Sequence, residues 1–378
     1  MRPKDKIVSW FIRNIIIPRQ EVMDKPGFLI TKVTDKSGTI FVRELFISES
    51  FIENLEASVV EKFGEKGRDR LYAAGKKFGY IYSSLSHFPT RSKTDKKSFQ
   101  KNCHLLIQYI NCMYAKDIRE KISYADKSIE FSMDQFVVCR HNGIGHILTE
   151  GGIAGIWAYL NEDPAVEAVQ TSCQGRGSKE CKVTAAPARL LKSRGIPYRR
   201  MGKLGVPKQG DYNRFNSIRP LRFVKNSLQA LIDHGFLKYK RGLVTYGGDR
   251  YFLAGSSVIF VLEEELKKLD GGGEALFKAA FDLGIQISKD KPSNYSTFIT
   301  DLFPAFGWGG VSMSEDDTNI KIFIECYPWI GGYEKHDFII FRGMLSGILS
   351  GFLKRKIILG KYNSKIQKDC LNVEISKI

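Results

Sequence analysis

Residues 151–183, GGIAGIWAYLNEDPAVEAVQTSCQGRGSKECKV, decide the fold, and a weaker copy recurs at residues 343–373 as GMLSGILSGFLKRKIILGKYNSKIQKDCLNV. In each copy, two glycines four residues apart open an apolar helical run. A strand-like run follows, and a turn rich in Gly, Ser and Lys then leads to a cysteine. The glycine pairs are Gly151 with Gly155 and Gly343 with Gly347. The recurrence predicts one structural unit that is used twice.

Other segments of the chain repeat in the same order. The segment LYAAGKKFG at 71–79 aligns without a gap on LFKAAFDLG at 276–284, and the amphipathic pattern of 51–63 matches that of 258–269. Hairpin signals precede both helical segments. Helices alternating with hairpin-linked strands predict an α+β protein in which a largely antiparallel sheet is flanked by helices.

The chain length supports two domains of ordinary size. We therefore predict four segments: an N-terminal helix, a first domain, a basic linker with an amphipathic helix and a second domain, at residues 1–25, 26–184, 185–235 and 236–378. The apolar run 7–12 in the N-terminal segment is interpreted as a helix that docks on its own core, and a membrane-surface anchor is the alternative. The sequence has no apolar stretch long enough for a transmembrane helix.

The glycine-spaced helix, the following strand, and Cys173 and Cys181 with seven residues between them resemble the C-terminal half of the 4-vinyl reductase domain family. Relatives of that family include the sensor domains of aromatic-responsive transcription activators and the small subunits of the TRAPP vesicle-tethering complex. The resemblance implies two tandem copies of such a domain. It also implies a small-molecule-binding or interaction module, since most members look like one.

The same resemblance implies a zinc site. Structural zinc takes four N, S or O ligands, and in the aromatic-sensor relatives a Glu before the first Cys and a Cys before the glycine helix complete the set. Gln170 and His146 stand at those two positions here. The predicted ligands are His146, Cys173 and Cys181, with Glu167, Cys139 and His141 in reserve. The alternative is that both cysteines pack as small apolar residues.

The family pocket lies between the glycine helix and the sheet. Aromatic residues of the corresponding segments are candidates to line an apolar ligand site: Phe131, Phe136, Trp157 and Tyr159. Ordinary core packing is the alternative for each of them.

Charge is concentrated in one segment. The chain carries a formal charge of +17, and residues 182–241 hold 15 Lys and Arg against two Asp, or +13. Basic side chains interleaved with aromatic ones favour phosphate neutralisation together with base stacking. The predicted nucleic-acid contacts are Arg194, Arg199, Arg200, Lys203, Lys208, Arg214, Arg219, Arg222 and Lys225. A solvated linker that only aids solubility is the alternative.

The sequence contains neither a Walker loop nor a nucleophile elbow. We therefore predict a non-enzymatic regulatory or sensory protein with two ligand-binding-type domains and a basic segment that contacts nucleic acid or a nucleoprotein machine. The alternative is a soluble carrier or sensor of an apolar small molecule that acts through protein or membrane contacts. A homodimer is a further hypothesis. Seven cysteines without an export signal predict a cytoplasmic location.

Overall fold

The N-terminal segment forms helix α1, Pro3–Phe11, which continues as a π-helical turn over Ile12–Ile16. Strand β1, Glu21–Val22, also lies within the segment that the sequence predicted to be a helix. The structure is a computed structural model. It describes residues 3–16, 21–35, 38–114, 117–134, 136, 144–201, 204, 221–222, 224–240, 243–289, 294–328, 336–360, 364–367 and 370–376.

The chain divides into two packing units. Unit 1 comprises residues 1–18, 52–208 and 264–269, and unit 2 comprises residues 19–51, 209–263 and 270–378. Residues 26–51, which the sequence assigned to the first domain, therefore pack in unit 2. The cause is strand pairing. Strands β2 and β3 form a hairpin, and β3 also pairs with β10, so both predicted hairpins share one sheet; the three strands span Leu29–Asp35, Gly38–Ser48 and Asp249–Gly255.

Unit 1 is built from one four-stranded antiparallel sheet and the helices around it. The strands lie in the order β4-β5-β7-β6, where β4 is Asp117–Ser123, β5 is Ser128–Asp134, β6 is Val166–Ser172 and β7 is Cys181–Pro187. Besides α1, the helices of unit 1 are α2 (Glu49–Leu85, which belongs to this unit from Ile52 onward), α3 (Lys96–Tyr114), α4 (Ile147–Asn161) and α5 (Ala188–Ser193). The predicted helices 51–63 and 68–83 join in α2, with non-helical backbone at Gly64 (φ 56°, ψ −133°).

Unit 2 contains a six-stranded sheet, β1-β2-β3-β10-β9-β8, and a four-stranded sheet, β11-β12-β14-β13, both antiparallel. The remaining strands are Lys238–Lys240 (β8), Leu243–Tyr246 (β9), Gly310–Glu315 (β11), Asn319–Glu325 (β12), Ser364–Gln367 (β13) and Cys370–Ser376 (β14). The helices of unit 2 are α6 (Leu228–Asp233), α7 (Ser257–Leu266), α8 (Gly272–Ile287), α9 (Tyr295–Ala305) and α10 (Ile339–Leu353). Helix α7 belongs to this unit as far as Glu263.

The two four-stranded sheets have the same topology. In each, a hairpin (β4–β5 or β11–β12) precedes the glycine helix (α4 or α10), and a second hairpin (β6–β7 or β13–β14) follows it. The α+β class with antiparallel sheets and helices is confirmed. The descent of both units from one 4-vinyl-reductase-like domain stays a prediction.

Each glycine helix contacts an earlier helix through backbone atoms. A Cβ placed on Gly155 of α4 would lie 2.0 Å from the carbonyl oxygen of Lys76 on α2, well inside the distance that real Cβ atoms keep. In unit 2, a Cβ on Gly347 of α10 would lie 2.1 Å from the carbonyl oxygen of Phe281 on α8. Only a hydrogen fits at these contacts, so the glycine spacing is a packing requirement.

We expect Gly155→Ala to lower the free energy of unfolding by about 3 kcal/mol, because the new methyl group forces α2 and α4 apart. Urea denaturation measures the change. Gly152→Ala is a matched control on the same helix, since its Cβ would meet only the Gly75 carbonyl oxygen at 3.9 Å. The control should be neutral or stabilise by up to about 1 kcal/mol through helix propensity. Equal destabilisation by both substitutions would contradict the packing account.

Candidate functional site

A narrow apolar cavity lies in unit 1 between α3, strand β5 and the glycine helix α4. Its volume is about 40 Å³, and it has no polar lining surface. Helix α3 contributes one wall, β5 the floor and α4 the opposite wall. The lining residues are Cys103, Leu106, Ile107, Ile110, Ile129, Phe131, Ile153, Ile156, Trp157 and Leu160.

Strand alternation and helix periodicity place these side chains. Ile129 and Phe131 are two residues apart on β5, so both point to the same face of the sheet. Ile153, Ile156, Trp157 and Leu160 recur at three- and four-residue spacing on α4. The indole of Trp157 is held in place because its Nε1–H donates a hydrogen bond to the Lys127 carbonyl oxygen at 2.7 Å.

The structure brings together two of the four predicted pocket residues. Phe131 and Trp157 line the cavity, whereas Phe136 and Tyr159 do not. Tyr159 packs edge-on against Tyr80 of α2, with ring centroids 5.4 Å apart. Phe136 is half-buried and follows the end of β5. The predicted pocket is therefore shifted towards α3, whose lining residues the sequence analysis did not single out.

A buried polar cluster in unit 1 centres on Glu167 of β6. Its carboxylate lies 2.8 Å from Lys76 Nζ, accepts a hydrogen bond from the Tyr72 hydroxyl at 2.7 Å and accepts another from the Met201 backbone N–H at 3.2 Å. Burial lowers the pKa of Lys76 and raises those of Glu167 and Tyr72. With three donors on its carboxylate, Glu167 connects α2, through Tyr72 and Lys76, to Met201 of the basic segment.

A second buried glutamate sits at the start of each glycine helix. Glu56 accepts the Leu148 backbone N–H at 2.7 Å, and burial raises the pKa of Glu56 to about 7. In unit 2, Glu263 accepts the N–H groups of Asp337 and Ile339 at 2.5 and 3.0 Å. Each glutamate is the sixth residue of the matched segments 51–63 and 258–269. The two segments align in sequence, but their amphipathic pattern alone indicates no role for the glutamates.

The predicted zinc ligands are buried, but the described residues do not group as a metal site. His146 is at the N-terminus of α4, where its backbone N–H donates to Gln170 Oε1 at 3.0 Å, and neither ring nitrogen has a hydrogen-bond partner. Cys173 and Cys181 are fully buried. Within the described ranges, no three His, Cys, Asp or Glu side chains are grouped so that they could hold a metal. The reserve ligands Cys139 and His141 lie outside those ranges.

Zinc therefore stays a prediction, and metal content tests it. Purified protein should contain one zinc per chain if His146, Cys173 and Cys181 are ligands, because two thiolates and an imidazole supply three of the four donors. Cys173→Ser should then lose the metal, and Cys103→Ser is the control, since Cys103 lies in the apolar cavity. Elemental analysis gives both results. A wild-type protein that contains no zinc would remove the site.

The basic segment divides into paired and exposed residues. Arg199 lies 2.8 Å from Glu65 and 2.7 Å from Asp69, and Arg194 lies within 4 Å of Asp126 and Glu130. The side chains of Arg200, Arg222 and Lys225 are exposed. The other four predicted contacts, Lys203, Lys208, Arg214 and Arg219, lie outside the described residues. Among the helices of the described ranges, none is long and apolar enough to cross a membrane.

Comparison with known proteins gives no family assignment. No family model matches the chain, and no curated protein matches it. Among solved structures, the crystal structure of the phenol-responsive sensory domain of the transcription activator PoxR with phenol is similar to 52% of this chain over 99% of its own length. The sequence identity is 13% and the TM-score is 0.34. A similarity this weak assigns neither a family nor a function.

Proposed function

We propose that this chain is a regulatory or sensory protein whose unit 1 binds a small apolar molecule in the cavity between α3, β5 and α4. The observation that carries the proposal is the entirely apolar lining of that cavity. A water molecule inside would find only the weakly polar thiol of Cys103 as a hydrogen-bond partner in the lining, so the site favours an apolar guest over water. An apolar guest loses nothing on entering and gains dispersion contacts.

The lining also defines the ligand class. A hydroxyl or charged group placed in the cavity would be desolvated without compensation, which costs several kcal/mol for a charge and about 1 to 3 kcal/mol for a hydroxyl. The volume of about 40 Å³ admits only a few carbon atoms without rearrangement. A ring-sized guest therefore requires α3 to yield at Leu106 and Ile110, which are only half-buried.

Strand β5 offers a route from the cavity to the basic segment. Its residues Ile129 and Phe131 line the cavity, and Glu130 between them points to the opposite face. There Glu130 lies 3.7 Å from Arg194, at the start of the basic segment. Such an exposed pair contributes little stability. Because β4 and β7 pair with both edges of β5, a guest shifts this strand only slightly, and that shift moves Glu130 relative to Arg194.

Xenon and benzene are suitable probes of the cavity. We expect either to shift the methyl NMR signals of Ile107, Ile129 and Ile153, because these side chains surround the guest. Leu106→Trp should abolish the shifts by filling the cavity. Leu105→Trp is the matched control, since Leu105 is the exposed neighbour on the same helix and does not line the cavity. Unshifted wild-type signals, or equal binding by both variants, would refute the proposal.

Nucleic-acid contact by the basic segment is the second candidate function. It is favoured by the charge of +13 in residues 182–241 and by the exposure of Arg200, Arg222 and Lys225. Arg199 is a poor position for the test, because it forms ion pairs with Glu65 and Asp69, and a substitution there would also remove these contacts within unit 1. In the carrier hypothesis the same cavity binds the small molecule, but the basic segment contacts a protein or a membrane instead of nucleic acid.

Replacing Arg200, Arg222 and Lys225 by Glu should weaken RNA or DNA binding and make the slope of log K against log salt shallower by about 2 to 3, as phosphate contacts are lost. A fluorescence titration between about 50 and 200 mM salt measures both effects. The control reverses three exposed lysines outside the basic segment, Lys66, Lys101 and Lys179, for the same charge change. If the wild type shows no salt-dependent binding, or if the control loses as much binding, the nucleic-acid hypothesis is contradicted and the carrier hypothesis is favoured.

A further inference from the structure

Helix α1 exposes its largest apolar side chains. Ile7, Trp10 and Phe11 are 71%, 60% and 46% exposed. Their spacing of three and four residues places them on one side of the helix. A surface helix of a globular protein normally turns such residues inward. Together they form an apolar patch on the order of a few hundred Å², a size that marks an interaction site on a protein surface.

The opposite side of α1 attaches it to α3. The Ser9 hydroxyl donates a hydrogen bond to Gln108 Oε1 at 2.9 Å, and Cys112 Sγ donates to the Ser9 carbonyl oxygen at 3.5 Å. Ile12 is buried on the same side. The helix is therefore fixed without any help from Ile7, Trp10 or Phe11. Leu105, one turn before Gln108 on α3, is a further exposed apolar side chain.

The positive charge of the N-terminal segment, residues 1–20, favours an anionic partner. Residues 1–20 contain five Lys and Arg and one Asp, and Lys4 and Lys6 belong to α1 itself. Anionic lipid attracts basic residues that lie near its surface. Tryptophan favours the boundary between headgroups and acyl chains. At nine residues α1 is about 14 Å long, so it suits the membrane surface and is too short to span the bilayer.

We propose that α1 docks this protein on an anionic lipid surface, with Ile7, Trp10 and Phe11 inserted below the headgroups. The chemistry that fits is a negatively charged bilayer interface, which supplies an apolar layer for the three side chains and a negative charge that complements the net positive charge of residues 1–20. The proposal is independent of the cavity in unit 1, because none of these three residues lines it.

Cosedimentation of the full chain with vesicles tests the proposal. Binding to vesicles of phosphatidylcholine with about 30% phosphatidylserine should exceed binding to pure phosphatidylcholine. Trp10→Glu should weaken the binding about tenfold or more, because one large apolar side chain is no longer buried and a like charge faces the lipid. Tryptophan emission should also shift to the blue on binding. When the emission is compared in a Trp329→Phe background, Trp10→Phe should keep the binding and lose the shift, since the two remaining tryptophans, Trp157 and Trp308, are already buried.

Ile358→Glu is the matched control, because Ile358 is 52% exposed elsewhere, in unit 2. It should bind vesicles as the wild type does. Failure of the wild type to bind, or equal weakening by Trp10→Glu and Ile358→Glu, would overturn the proposal. A wild-type dimer that Trp10→Glu converts to a monomer in native mass spectrometry would also overturn it, since the patch would then be an interface between copies. Xenon binding in the cavity is unaffected by these outcomes.

Discussion

The backbone contact between each glycine helix and the helix before it is the constraint on which the rest of this structure depends. In unit 1, α4 meets α2 where Gly151 and Gly155 face the Tyr72 and Lys76 carbonyl oxygens. The close contact between the two backbones also fixes the positions of the side chains that flank it. Tyr72 and Lys76 therefore reach Glu167 on β6, and this buried cluster ties α2 to the sheet. The same helix contact presents the far side of α4 to the cavity.

Buried glutamates add a second constraint at the same helix. Glu56 and Glu263 accept backbone N–H groups where α4 and α10 begin, groups that have no partner within the helix. A carboxylate there also complements the helix dipole. The cost is desolvation, which is why the pKa of Glu56 is raised to about 7. Both units use this arrangement at matched positions, so it belongs to the shared architecture rather than to one unit alone.

Much of the fold could be predicted from local pattern, and the remainder depends on non-local pairing. Glycine spacing, amphipathic periodicity and turn residues identified both glycine helices, the β2–β3 hairpin and the α+β class. Strand β4, Asp117–Ser123, was missed because charged residues dominate it. The pairing of β3 with β10 joins residues about 200 positions apart, which no local pattern encodes. Phe131 and Trp157 were among the candidates because the family resemblance places a pocket between the glycine helix and the sheet. The role of Glu56 was not predicted, because a glutamate on an amphipathic helix usually lies on the solvated face.

The two units differ in how they fill their interiors, and this difference bears on function. A cavity in unit 2 is smaller, at about 20 Å³, and aromatic side chains such as Phe303, Phe306 and Trp308 crowd it. Rings packed against one another resist displacement, whereas Leu106 and Ile110, which α3 contributes to the unit 1 cavity, are only partly covered and can yield. Ligand binding is therefore expected in unit 1. There, strand β5 lines the cavity with one face, and Glu130 on its other face lies 3.7 Å from Arg194, so β5 is the element through which the proposed ligand site would communicate with the basic segment.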